Sequence, residues 1–339
     1  MNDDLQHGGA LDAMQRMFPQ APTPWLDLST GINPFSYQVR IANVDSARHL
    51  PTRESYRRCQ NDMAEALLAP QQYLLLAPGS ELLIRLLPTV IRPKSIAILE
   101  RSYGDHSRVW QAEGCDVVEH RDPLELADRV NAVVVCNPNN PDGRSFGREA
   151  LETARSALAD RGGWLIIDEA YADLDPALSL APVGGSPGLI ILRSFGKFFG
   201  LAGLRLAALL APQALIDAMS QRLGVWPVSG PALEAGAQAY ADLEWQRAIR
   251  ERLARTRQRL DEILANAGFY NVTGTDLFAL VHTNGAMALW QRLAEQGIYV
   301  RRFAWSDEHV RIGLPQNREA EDRLERALQI VTEPPCSSE

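Results

Sequence analysis

Between about residues 72 and 210 the chain alternates short unbroken apolar runs with stretches of helical period. The runs "YLLLAP", "SIAILE", "AVVVCNP", "WLIIDEA", "LIILRS" and "LAALLA" lack the every-second-residue alternation of a half-exposed strand. They predict strands covered on both faces, as in a mostly parallel sheet. Between them, "SELLIRLLPTV" and "REALETARSALADRG" have helical spacing, the second closed by Gly162 as a C-cap. Such repetition predicts a three-layer α/β domain.

After Pro231 the texture changes. "LEWQRAIRERLARTRQRLDEILANAG" reads as one long amphipathic helix ending at Gly268. It is followed by "LFALVHT", a helix over about 285–296, "GIYVRRF", "HVRIGL" and a last helix near 318–331. This predicts a smaller α+β domain. The expected layout is an N-terminal arm over 1–45 that forms part of the small domain, a large domain over 46–235, a small C-terminal domain over 236–331 and a disordered tail over 332–339.

A formal net charge of −8 argues against nucleic acid or an anionic membrane as partner. No apolar run approaches the roughly 18 residues that a spanning helix needs, and "MNDDLQHGGALDAMQ" does not resemble a signal peptide. Cys59, Cys115, Cys136 and Cys336 are scattered without a C-x-x-C pair, and the six histidines show no H-E-x-x-H spacing. A cytoplasmic protein with reduced thiols and no metal site is expected.

In open α/β sheets ligands collect beyond the carboxyl ends of the strands. Gly79, Ser80 and Glu81 follow the first run and open a helix, a turn suited to a phosphate or to ordinary N-capping. "NPNNPDG" follows the third run, and its prolines force a turn that leaves the Asn139 and Asn140 amides for a ligand. Asp168 closes the fourth, with Glu169 and Tyr171 behind it; a buried acid there calls for a cationic partner. Ser194, Lys197 and Arg205 follow the fifth. Lys197 and Lys94 are the only two lysines among 34 basic residues. An arginine stays protonated, whereas a lysine can lose its proton and condense with a carbonyl. One ligand uses a phosphate cradle, an amide, a carboxylate and this amine together: a phosphorylated pyridine aldehyde.

With "NPNNPDG", "DEAY" and "SFGKFFGLAGLR" in place, the chain resembles fold-type I pyridoxal-phosphate enzymes of the aminotransferase class I/II superfamily over most of its length. The resemblance implies pyridoxal 5'-phosphate as cofactor, with Lys197 as the lysine that carries it and Asp168 as partner of its ring nitrogen. Gly79, Ser80, Glu81, Ser194 and Arg205 are implied around the phosphate, Asn140 and Tyr171 at the phenolic oxygen and Tyr103 stacked on the ring, with His106 behind Asp168. Arg311 in "HVRIGL" stands where the family holds the substrate carboxylate. A homodimer is also implied. One departure stands out. Relatives usually carry an Arg-Tyr-Pro run whose tyrosine reaches the partner subunit's cofactor, and here "RHLPTRESY" puts Leu50 in that place, so that Tyr56 or an arginine replaces it or the contact is missing.

The N-terminal "HGGALDAMQ" and "WLDLSTGINP" resemble threonine-phosphate decarboxylases of cobalamin biosynthesis. This implies a small phosphorylated amino acid as substrate, L-threonine O-3-phosphate, and (R)-1-amino-2-propanol O-2-phosphate as product. It also implies substrate contacts from His7, Gly8, Gly9, Gly31 and Asn33, and from Arg301 or Arg302 in "GIYVRRF". The rival is histidinol-phosphate aminotransferase, whose arm usually reads "NENP". A non-catalytic aminotransferase-like effector domain ranks below both.

Overall fold

The computed structural model describes residues 8–40 and 45–332. It divides into two compact units, Ser36–Arg247 on one hand and Met1–Phe35 with Ala248–Glu339 on the other. The texture of the sequence placed these boundaries near 45 and 235. The later boundary moves because helix Gly230–Ala241 packs along helix Arg53–Ala66 inside the larger unit. Gly236 makes the approach close: a Cβ there would lie 2.7 Å from Cys59 Sγ. The earlier boundary moves because Tyr37 stands edge-on to Phe199 and Trp245, and its backbone N–H donates to the Phe199 carbonyl.

The strands, in chain order, are β1 (Leu26–Leu28), β2 (Leu74–Ala77), β3 (Ser95–Leu99), β4 (Asp116–His120), β5 (Ala132–Cys136), β6 (Trp164–Asp168), β7 (Leu189–Ser194), β8 (Ala207–Leu210), β9 (Val272–Thr275), β10 (Phe278–His282), β11 (Ile298–Phe303) and β12 (Ser306–Gly313). The larger unit holds a seven-stranded sheet in the order β2-β8-β7-β6-β5-β3-β4. Its pairs are parallel except that β8 runs antiparallel to both neighbours. All six apolar runs became strands. β4 was not anticipated, because "DVVEH" is an edge with exposed positions rather than an apolar run.

Side chains alternate between the two faces of a strand. On one face Ile98, Val134, Ile166, Ile190, Leu192 and Leu209 form a core with Leu83 and Leu87 of helix Ser80–Ile91, Trp110 of helix Asp105–Ala112 and Met219 of helix Gln213–Leu223. Following that alternation to the strand ends, Asp168 and Ser194 face the layer that contains the N-terminus of helix Ser80–Ile91. Arg193 faces the other way.

The smaller unit holds a five-stranded sheet in the order β1-β11-β12-β10-β9, with β1 parallel to β11 and the rest antiparallel. β1 and β9 were not read from the sequence, since runs of three and four residues are too short for a periodic signal. Helix Ala286–Glu295 covers one face, where the Trp290 indole donates to the Val300 carbonyl at 3.1 Å. Among the described residues no helix is long and apolar enough to cross a membrane.

Candidate active site

Gly79, Ser80, Glu81, Tyr103, Asn140, Asp168, Tyr171, Ser194, Lys197 and Arg205 all line one cavity of about 160 Å³ in the larger unit. They come from separate strand ends, and the parallel sheet brings those ends to one edge. Lys197 lies on the helical turn Phe195–Phe198 that leaves β7, three residues beyond the strand's last residue, Ser194.

At one end of the cavity a helix N-terminus and a guanidinium meet. Gly79 caps helix Ser80–Ile91 with φ +91°, a region that suits glycine. A Cβ on Gly79 would lie 2.5 Å from Arg205 Nη2 and 2.9 Å from Cζ, so only glycine lets Arg205 lie against this turn. Unpaired backbone N–H groups of a first helical turn, the Ser80 and Ser194 hydroxyls and a guanidinium make an anion cradle. The Glu81 carboxylate takes no part in it, since it accepts from the Tyr103 hydroxyl at 3.0 Å and pairs with Arg85 at 2.6 Å. What Glu81 offers an anion is its backbone N–H. Burial, with Glu81 close by, raises the Tyr103 phenol pKa and keeps it protonated.

At the other end Asp168 is buried, and the cation expected beside it is His106, whose Nε2 stands 3.1 Å from Oδ2. Burial alone would strip the imidazole of its proton. The hydrogen bond to Asp168 outweighs this, with Cys136 adding to it, and raises the His106 pKa to about 10. The other carboxylate oxygen accepts from the Ala170 N–H at 3.1 Å.

Asn139 does not match the expectation of a free amide. It is buried, donates to Asp142 at 2.7 Å and accepts from Ser102 at 2.8 Å, so it ties the turn to its neighbours. Asn140 is the one that reaches the cavity. Tyr56 also bonds the protein's own backbone. Its hydroxyl accepts from the Leu76 N–H at 2.9 Å, and burial pushes its pKa up to about 12. Leu50 itself is 64% exposed.

The smaller unit assembles a second cluster. Gly8 passes so close to the Ser29 carbonyl that a side chain there would collide with it, and Gly9, at φ +88°, donates its N–H to Ser29 Oγ at 2.8 Å. Arg311 is buried, donates to the Ser29 carbonyl at 2.9 Å and lies over the Phe278 ring. Ser29 therefore joins the glycine turn to Arg311, a role the sequence reading missed; its only signal is a hydroxyl in "LSTG" directly after β1. Gly31 and Asn33 are buried just beyond, where Asn33 Oδ1 accepts from the Phe35 N–H at 2.8 Å. His7 lies outside the described residues.

The register of β11 on β12 separates the two candidate arginines. Arg301 is the direct partner of Arg311, so the two side chains leave the same face. Arg302 leaves the opposite face, where its guanidinium sits 4.7 Å from the centroid of the Trp290 ring.

The family model for "Aminotransferase class I and II" matches residues 24–329. The chain belongs to this family. The threonine-phosphate decarboxylase of Pseudomonas aeruginosa is 36% identical over 332 residues, which cover 97% of this chain and 99% of that one. Histidinol-phosphate aminotransferase 2 of Archaeoglobus fulgidus is 28% identical, with 90% and 93% covered. The crystal structure of histidinol-phosphate aminotransferase from Sinorhizobium meliloti in complex with pyridoxal-5'-phosphate superimposes with a TM-score of 0.81 at 21% identity, covering 95% of this chain and 94% of that one. The fold is thus the fold-type I architecture of this aminotransferase family, and pyridoxal phosphate is the family's cofactor.

The cavity fits that cofactor. Its cradle is a space that any Cβ at position 79 would fill, its far end holds a buried carboxylate backed by a protonated histidine, and its amine is Lys197. When bound, pyridoxal phosphate supplies an electron sink. Asp168 and His106 are placed to keep a proton on its ring nitrogen, and Ser80, Ser194 and Arg205 to hold its phosphate.

Proposed function

We propose that the protein decarboxylates L-threonine O-3-phosphate to (R)-1-amino-2-propanol O-2-phosphate for adenosylcobalamin assembly, acting as a carbon–carbon lyase. The observation that carries this reading is the Arg301–Arg311 pair. Like charges directly opposite across two strands repel, and a substrate with both a carboxylate and a phosphate ester offsets that repulsion. In this reading Arg311 grips the α-carboxylate, while Arg301 and the His7-Gly8-Gly9 turn hold the phosphate. Lys197 supplies the proton that takes the place of the departing CO2 at Cα. The full-length likeness to a threonine-phosphate decarboxylase supports the same substrate.

The test is to incubate the purified protein with L-threonine O-3-phosphate, without a keto-acid acceptor, and look for aminopropanol phosphate and CO2. Arg301→Gln lowers kcat/KM for the phosphorylated substrate roughly 10- to 100-fold, the loss of one or two charge-assisted hydrogen bonds. It barely changes the slow reaction with threonine. Arg302→Gln leaves both near wild type, and Arg311→Ala weakens both. Equal turnover of threonine and its phosphate would remove the phosphate pole. Transamination of histidinol phosphate with no CO2 from threonine phosphate would assign the protein to the aminotransferases instead.

The reading includes a cytoplasmic homodimer. Val225 and Trp226 are 79% and 56% exposed on the loop before helix Gly230–Ala241, and Leu50 is 64% exposed. A second copy covers this apolar surface. Light scattering at micromolar concentration gives twice the chain mass, and Trp226→Asp shifts the population toward monomer. A fully active wild-type monomer at that concentration contradicts the arrangement.

A further inference from the structure

Asp168 has a second side-chain neighbour besides His106. Cys136 is the last residue of β5 and the direct register partner of Asp168 on β6. It is buried, it lines the cavity, and its Sγ lies 3.9 Å from Asp168 Oδ2. That is the same oxygen His106 reaches at 3.1 Å. The thiol sulfur, a carboxylate oxygen and a ring nitrogen of His106 all lie within 4.8 Å of one another.

We propose that Cys136 is a positioning residue for Asp168, its thiol hydrogen bond to Oδ2 completing the set of donors that holds the carboxylate in one rotation. A carboxylate turns easily about its last bond, because that torsion has broad wells. A single donor on each oxygen leaves room for rocking. Here Oδ1 accepts from the Ala170 N–H, while Oδ2 accepts from both His106 and Cys136, which lie beside each other. A thiol is a weak donor to neutral oxygen, but an anion as acceptor strengthens any hydrogen bond. Sulfur also reaches farther than oxygen, which suits a strand neighbour whose Cα is fixed by the sheet. The other titratable groups lining the cavity are Lys197, Arg205, Tyr103, Tyr171 and Glu81.

The inference rests on pyridoxal phosphate occupying this cavity, and is independent of which substrate is used. Three variants of the loaded protein test it: Cys136→Ser keeps a donor, Cys136→Val keeps the bulk without a donor, and Cys136→Ala keeps neither. Two readouts are followed, the dissociation constant of the cofactor and the pH midpoint of its visible absorbance. Val and Ala weaken cofactor binding roughly three- to tenfold, about the net worth of one ordinary hydrogen bond, and move the midpoint by about half a unit. Ser, a stronger donor with a shorter reach, falls between wild type and Val in both. If Val matches wild type while Ser and Ala shift, or if only the melting temperature moves, Cys136 merely fills space and the inference falls. Because Ser and Val differ little in size from Cys, a failure of Ala to fold leaves the comparison intact. A wild type with no visible absorbance overturns the cofactor assignment together with this inference; an unshifted Val midpoint overturns the inference alone.

Discussion

Replacing Lys197 with alanine abolishes the visible absorbance of the purified protein and lowers turnover by roughly four orders of magnitude, the upper end of what positioned proton transfer contributes. The size of the effect follows from the rest of the cavity, which has no second amine: Arg205 is permanently protonated, and His106 is committed to Asp168. Arg205, the two serines and the helix N-terminus remain in the variant, so cofactor binds through its phosphate and is lost on dialysis. Borohydride reduction followed by peptide mapping gives the decisive readout, because Lys94 is the only other lysine side chain. A label on Lys94, or on neither, refutes the assignment.

The second large effect is on stability, and its origin is on the opposite face of the sheet. Arg193 is buried and bonds Glu169 at 2.8 Å and also Asp173. Glu169 also accepts from the Ser179 hydroxyl and, at 2.8 Å, from the Leu180 N–H, while the buried Tyr240 phenol lies close to Arg193 and Asp173. Arg193→Met removes the cation that the two buried carboxylates share. Breaking a buried ion pair from one side costs about 3–5 kcal/mol, and the variant unfolds at correspondingly lower urea concentration. A midpoint within error of wild type would show that the three charges contribute nothing to stability. The network joins the residue after Asp168 to the residue before Ser194, so cofactor affinity weakens along with stability.

The cavity was legible in the sequence because its chemistry sits at strand ends, where an apolar run stops and a polar residue must have a reason. The smaller unit was far less legible. Choosing Arg301 over Arg302 needs the register of β11 on β12 and the face taken by Trp290, and adjacent residues in a strand look alike until the pleat is placed. Ser29 acts through its carbonyl as much as its hydroxyl, and no residue type signals a carbonyl. Arg193 was passed over inside "LIILRS", where one charge in an apolar run reads as the strand's end. It is an interior residue whose partners lie on the segment beyond β6. Asn139 and Tyr56 went the other way: each has a polar group suited to a ligand, and each spends it on the protein's own backbone or turns.

The near-total use of arginine has a practical side. Lys94 is exposed in the turn that enters β3, at the amino end of the parallel strands, whereas the cavity opens at their carboxyl ends. Amine-coupling chemistry applied to the cofactor-loaded protein therefore has one accessible lysine to attack, and it points away from the cavity. With the chain's α-amino group, which reacts at lower pH than a lysine, blocked beforehand, a fluorophore or a solid support attached at Lys94 gives molecules that share one orientation with the mouth of the cavity unobstructed. A typical lysine-rich surface would instead yield a mixture of attachment points.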